Sequence, residues 1–208
     1  KVVLAFSGGL DTSYCVPWLM NEKGLEVHTV IVNTGGFSTE EAKQIEERAL
    51  TLGAASHTCI DAVDDYYARG IKYLIFGNVL KNNTYPLSVS SERFFQAMAV
   101  LDHVKKVGAQ YVAHGSTGAG NDQVRFDLVF EVLAPEVKIM APIRELALSR
   151  QQEIDYLKEK GYDFSWEKSK YSINQGIWGT SVGGVETLKS SGVLPEEAFP
   201  SQVTTSGS

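Results

Sequence analysis

The stretch Leu4-Ala5-Phe6-Ser7-Gly8-Gly9-Leu10-Asp11-Thr12-Ser13, almost at the amino end, constrains this chain most. Val2 to Phe6 is an apolar run with the length of a buried strand. Ser7-Gly8-Gly9 predicts a tight turn. Asp11, Thr12 and Ser13 are residue types that open helices, and an apolar-rich segment follows. Strand, glycine turn and helix start, in that order, make an anion site. The unpaired N–H groups of the turn and of the first helical turn converge on one spot, and the helix dipole favours negative charge there. Two glycines let the backbone come close to a ligand and take positive φ. The expected ligand is the phosphate chain of a nucleotide.

The rest of the chain repeats the alternation. Thr12–Lys23 reads as a helix closed by Gly24, with Pro17 inside it expected to kink or shorten its regular part. Val27–Val32 is a second apolar strand, and Asn33-Thr34-Gly35-Gly36 a loop after it. Ser38 or Thr39 caps a helix to about Leu52, with Glu40 and Glu41 in its first turn where the dipole favours them. Ser56–Ile60 is a short third strand. Asp61 to Lys81 reads as helix in pieces, broken near Gly70 and Gly77, and residues 82–86 as a loop. Ser91–Val107 is a helix, and Gln110–His114 a fourth strand that runs into Gly115-Ser116-Thr117-Gly118-Ala119-Gly120. Strands separated by helices predict an α/β fold, a parallel twisted sheet with helices on both faces. Ligands bind such sheets at the carboxyl ends of strands, where the strand order switches. The first and fourth strands both end in glycine-rich loops.

Composition narrows the class. The chain has 208 residues, 43% hydrophobic and 21% charged, enough for one large domain or one domain with part of another. A net charge of -6 argues against a general nucleic-acid binder, though not against one small phosphate ligand. No apolar run approaches membrane-spanning length and no signal peptide is visible. Two cysteines, Cys15 and Cys59, make no disulfide framework, so the cytoplasm is the expected compartment. They form no zinc-spaced cluster with histidine, and His114 reads as a packed strand-end residue. The chain opens on Lys1 rather than Met, which reads as a trimmed start, and residues 201–208 read as a frayed tail.

Named phosphate motifs discriminate further. A Walker loop requires Lys after its last glycine, and here Leu10-Asp11 follows. A dinucleotide fingerprint requires G-x-G-x-x-G, which neither glycine loop supplies. Ser7-Gly8-Gly9-Leu10-Asp11-Thr12-Ser13 resembles the S-G-G-x-D-[TS]-S loop of ATP pyrophosphatases, which cleave ATP between the α- and β-phosphates and adenylate an acceptor oxygen. His114-Gly115-Ser116-Thr117-Gly118-Ala119-Gly120-Asn121-Asp122-Gln123-Val124-Arg125-Phe126 resembles a signature of the argininosuccinate synthase family. So do Tyr171-Ser172-Ile173-Asn174-Gln175 with Trp178-Gly179-Thr180-Ser181, and Tyr85-Pro86-Leu87 with Ser90 and Arg93. Four matches in order over most of the chain carry the resemblance.

That resemblance implies a Rossmann-like fold of the ATP pyrophosphatase type. It implies joining of citrulline and aspartate to argininosuccinate, with ATP giving AMP and pyrophosphate, a magnesium requirement and a homotetramer. By resemblance, ATP falls to Ala5, Phe6, Ser7, Gly8, Gly9, Leu10, Asp11, Thr12, Ser13, Val32 and Gly115. Citrulline falls to Tyr85, Ser90, Asn121, Arg125, Ser172 and Ser181, and aspartate to Thr117, Asn121 and Asp122. Asp11, Asp122 and Arg125 are the residues nearest the chemistry. Asp11 is open to two roles, orienting the loop or helping to hold the metal. Periodicity leaves Asn121–Leu133 open between helix and strand, and the resemblance selects helix, which puts Asn121 and Arg125 on one face. Arg125 offers a planar fork for a carboxylate, or else pairs with Asp127 or Glu131 at the surface.

Two departures stand out: Ala119 where the family commonly has Lys, and Phe6 where it commonly has Tyr. Family members also continue well past residue 208, so the chain reads as a nucleotide-binding domain, 1–165, and the truncated beginning of a synthetase domain, 166–208. The alternatives are another adenylating ATP pyrophosphatase and a non-catalytic ATP-binding module.

Overall fold

The apolar run near the amino end forms β1 (Val2–Ala5). It is central because side chains leave a strand alternately. Val2, Leu4 and Phe6 enter a core with Leu10, Tyr14, Cys15, Val16 and Leu19 of α1 (Leu10–Asn21). Val3 faces the opposite core, with Ala97, Val100, Leu101 and Val104 of α5 (Ser88–Val107) and Phe126, Val129 and Phe130 of α6 (Asp122–Leu133). One strand thus nucleates apolar layers on both faces of the sheet. A computed structural model describes residues 1–118, 121–166, 170–189 and 191–199. Ala119 and the 201–208 tail, both singled out above, lie outside them.

The sheet contains β2 (Val27–Asn33), β3 (Ser56–Asp61), β4 (Tyr111–His114) and β5 (Lys138–Met140) in the order β3-β2-β1-β4-β5. Every pairing is parallel, with Val2 opposite Val27 on one side and Tyr111 on the other. The chain therefore winds outward from β1 in one direction, then returns to its other side. The switch lies between β1 and β4, whose carboxyl ends carry the two glycine loops. This is the expected α/β architecture.

Helix α2 (Thr39–Thr51) starts on a capping box, with Ser38 accepting from the Glu41 amide and the Glu41 carboxylate accepting in return. Residues 63–76 are helical in pieces, α3 (Val63–Tyr66) and α4 (Lys72–Phe76) joined by a π-helical turn over Tyr67–Ile71 that contains Gly70. Helix α1 runs unbroken through Pro17 and begins at Leu10, two residues ahead of the expected start. Helix α5 begins at Ser88, where Leu87 in the left-handed region turns the chain. Beyond β5 come α7 (Pro142–Leu146), α8 (Arg150–Glu159) and an antiparallel hairpin, β6 (Ser172–Gly176) and β7 (Gly179–Gly183). Among the described residues no helix is long and apolar enough to cross a membrane.

Candidate functional site

A cleft of about 850 Å3 opens at the carboxyl ends of β1, β2 and β4. Its floor is the Ser7–Gly9 loop and the first turn of α1. Gly8 sits at φ 76, in the left-handed region, and its carbonyl accepts from the Arg48 guanidinium. Arg48 lies over Phe164 and Trp166, 5.5 and 5.3 Å from their ring centroids, so the cation is fixed. The N-cap of α1 is Gly9, which has no side chain to cap the helix. The Thr12 hydroxyl turns back to the Gly9 carbonyl and the Ser7 hydroxyl. No side chain caps the amino end of α1 where it meets the cleft, the arrangement that suits an anion.

The second glycine loop closes against the first. A methyl group on Gly115 would sit 2.9 Å from Thr12 Cγ2 and 3.1 Å from the Thr12 nitrogen, so only glycine allows the approach. Behind the loop, Asp11 and Glu153 of α8 are within hydrogen-bonding reach of each other. Burial raises both carboxyls, and Glu153, further opposed by the Asp11 charge, is pushed up to about 8.

The opposite wall is polar. Glu92 is only 4% exposed and accepts from the Thr34 hydroxyl at 2.6 Å and from Gln96 at 2.9 Å. Burial raises its carboxyl, with Thr34 and Arg93 opposing the rise. Arg93 reaches Asp122 at 3.1 Å, Gln96 at 2.9 Å and the Asn174 side chain of β6. One guanidinium thus ties α5, α6 and the hairpin together. The hairpin is also anchored by the Trp178 indole, donating to the Pro86 carbonyl at 2.7 Å, and by the Ile177 amide, donating to Thr34.

Of the residues singled out in the sequence, Ala5, Phe6, Ser7, Gly8, Gly9, Leu10, Asp11, Thr12, Val32, Gly115 and Asp122 line this cleft. Ser13 lies beneath it, fully buried with its hydroxyl unpartnered. Asn121 and Arg125 do fall on one helical face, at the start of α6. Arg125 pairs with Asp122 at 2.8 Å, not with Asp127 or Glu131. Thr117 and Asn121 are exposed. The Tyr85 hydroxyl accepts from the Ser90 amide at 3.2 Å, so these two lie together at the start of α5. Ser172 and Ser181 stand on the hairpin, and Ser181 is opposite Asn174. Asn174, not either serine, reaches the cleft.

Sequence reasoning missed Arg48, Glu92, Gln96, Arg150 and Glu153, all on or behind the cleft wall. The helix starts did leave signals, Ser149-Arg150-Gln151-Gln152 being a capping box like Ser38 to Glu41, but the side chains' roles did not. The cleft offers a backbone anion cradle at one end and a fixed array of carboxylates and guanidinium at the other.

The family described as "Arginosuccinate synthase N-terminal HUP domain" matches residues 1–163. Argininosuccinate synthase of Sulfolobus acidocaldarius is 45% identical over 199 residues, 96% of this chain and 50% of that protein. Those of Saccharolobus solfataricus and Methanocaldococcus jannaschii are 46% and 45% identical, over 96% and 95% of this chain and 50% and 49% of theirs. The chain spans about half the length of the curated relatives it matches. With its first 163 residues on the family's own domain and this identity along nearly its whole length, the chain belongs to the argininosuccinate synthase family.

Proposed function

We propose that this chain carries the nucleotide-binding part of an ATP-dependent ligase that joins citrulline and aspartate to argininosuccinate. The observation that carries the reading is the uncapped amino end of α1, opening into a cleft whose far wall is the Arg93–Asp122–Asn174 network. The loop amides would hold the β- and γ-phosphates, with Val32 and Gly115 beside the nucleoside. Tyr85, Ser90, Asn121, Arg125, Ser172 and Ser181 would take citrulline, and Thr117, Asn121 and Asp122 aspartate.

The ureido oxygen of citrulline attacks the α-phosphorus in line. An O–P bond forms, the bond to the β-phosphate bridge breaks, and pyrophosphate leaves. The aspartate amine then attacks the activated ureido carbon, loses a proton, and AMP departs with the oxygen. The protein's part is positioning and charge stabilisation. Among the described residues no three His, Cys, Asp or Glu side chains converge as a metal site. Mg2+ bound with ATP needs no such cage, since phosphate oxygens and water supply most of its ligands, and no step is assigned to the ion. Asp11 is already engaged with Glu153, which favours the orienting role.

The test pairs calorimetric ATP binding with AMP formation, in the presence and absence of citrulline and aspartate. The expected result is ATP binding abolished in Gly9→Val and AMP formation that requires citrulline. Equal binding by Gly9→Val refutes the loop assignment. AMP formation indifferent to citrulline refutes the substrate, and the alternative adenylating enzymes then take its place.

A further inference from the structure

The second glycine loop is gripped by a closed circuit of side chains that the proposed chemistry does not use. The Ser116 amide donates to His114 Nδ1 at 3.2 Å. His114 Nε2 lies 2.8 Å from Asp127 Oδ1. The other Asp127 oxygen accepts from Arg144 at 2.6 Å, and the same Arg144 nitrogen donates to Gln123 Oε1 at 3.0 Å. Gln123 Nε2 then donates to the Gly118 carbonyl at 2.7 Å. The circuit starts on one end of the Gly115–Gly118 segment and finishes on the other, drawing on β4, α6 and α7.

The donors fix the imidazole. A backbone amide can only donate, so Nδ1 must be bare, and Nε2 must then carry the proton toward the Asp127 carboxylate. The ring is 2% exposed. The groups facing it are Asp127 on α6 and Arg144 and Glu145 on α7. Burial pushes the imidazole below its ordinary value, and Asp127 offsets this only in part. Burial also opposes ionisation of Asp127, but its bonds to Arg144 and His114 hold it below the ordinary carboxylate value.

We propose that His114, Asp127, Arg144 and Gln123 are positioning residues: they clamp the Gly115–Gly118 loop at both ends, with His114 kept as the neutral Nε2–H tautomer. The clamp rests on the nucleotide reading above for its purpose. It sets how closely Gly115 lies against Thr12, and therefore the width of the slot between the two loops. It also fixes Gln123, one residue after Asp122, which faces the cleft. Protonation of His114 puts hydrogen on Nδ1 and expels the Ser116 amide, so acid opens one jaw of the clamp.

Two substitutions separate the jaws. His114→Asn places an amide oxygen near the Nδ1 position and keeps an acceptor for Ser116. Gln123→Glu keeps the partner for Arg144 but removes the donor to Gly118, at a site outside the core. Nitrogen NMR of the imidazole and the Ser116 amide shift are read first, since neither needs ATP to bind. ATP affinity across pH follows. Expected are a bare Nδ1, a moved loop-amide spectrum in Gln123→Glu, and about three- to tenfold weaker ATP binding for that variant, the range one hydrogen bond supports. Wild-type affinity falls on an acid limb that His114→Asn lacks. An Nδ1–H tautomer, or loop amides and ATP affinity unmoved in Gln123→Glu, overturns the clamp. If wild type binds no ATP, the nucleotide reading fails while the tautomer and amide shifts still decide the clamp.

Discussion

Thr34→Val tests whether the polar wall of the cleft is held by its buried hydrogen bonds. Thr34 is fully buried, and its hydroxyl donates to Glu92 Oε1 at 2.6 Å. Valine keeps the branched shape and deletes that donor. A hydrogen bond to a charged group is worth about 1.5–3 kcal/mol, and the added methyl returns up to about 0.8 kcal/mol, leaving a loss of roughly 1–2 kcal/mol. Glu92 also loses a cause that opposes its raised pKa. A carboxyl raised on folding means the folded state binds more protons between the unfolded and folded values, so stability falls as pH rises through that window. Thr34→Val extends the window upward. Its penalty should therefore be full near pH 8 and smaller near pH 4, where the carboxyl is protonated in both proteins. Urea titration reads this directly: at a slope of about 2 kcal/mol per molar, the midpoint drops by roughly 0.5–1 M at pH 8. A drop below about 0.2 M, or one equal at both pH values, would refute the reasoning.

Other outcomes follow from the same geometry. Gly115→Ala, whose methyl meets Thr12 at 2.9 Å, should spread the two loops and weaken ATP binding about tenfold or more while far-ultraviolet dichroism stays unchanged; undiminished affinity counts against the slot. Glu153→Gln removes a carboxyl raised to about 8, so wild-type stability should decline from pH 5 to 8 more steeply than the variant's, and parallel urea-midpoint curves would contradict the shared-proton pair. Trp178→Phe strips the donor from the Pro86 carbonyl, at a cost of about 0.5–1.5 kcal/mol, and should speed amide exchange in β6 and β7 before any other element; uniform exchange across the chain argues against a hairpin pinned there.

What the sequence reveals depends on how local the cause is. The apolar run from Val2 and the two glycines after it predict strand and turn because each acts within its own few residues. The start of α1 misleads for a physical reason. Asp11, Thr12 and Ser13 read as caps, but the Asp11 carboxyl turns to Glu153 and the Thr12 hydroxyl to Gly9, and the helix begins at Leu10 with no cap at all. That absence of a side-chain cap lies at the cleft, so the failed expectation marks the site itself. Strand β5 has three residues and too little pattern to announce itself. The farthest-reaching partners cannot be seen locally: Arg48 lies 40 residues from the Gly8 carbonyl it holds, and Arg93 lies 81 from Asn174. Such pairs exist only once the parallel sheet has brought the carboxyl ends of β1, β2 and β4 to one rim. The fold must form before its wall can be polar, and the wall in turn explains the site's isolated polar residues. Glu92, buried on α5 beside apolar positions such as Ala97 and Val100, carries no local signal of its role. In the folded chain it is the acceptor for Thr34 and Gln96 and the neighbour of Arg93, the guanidinium that joins the sheet's helices to the hairpin.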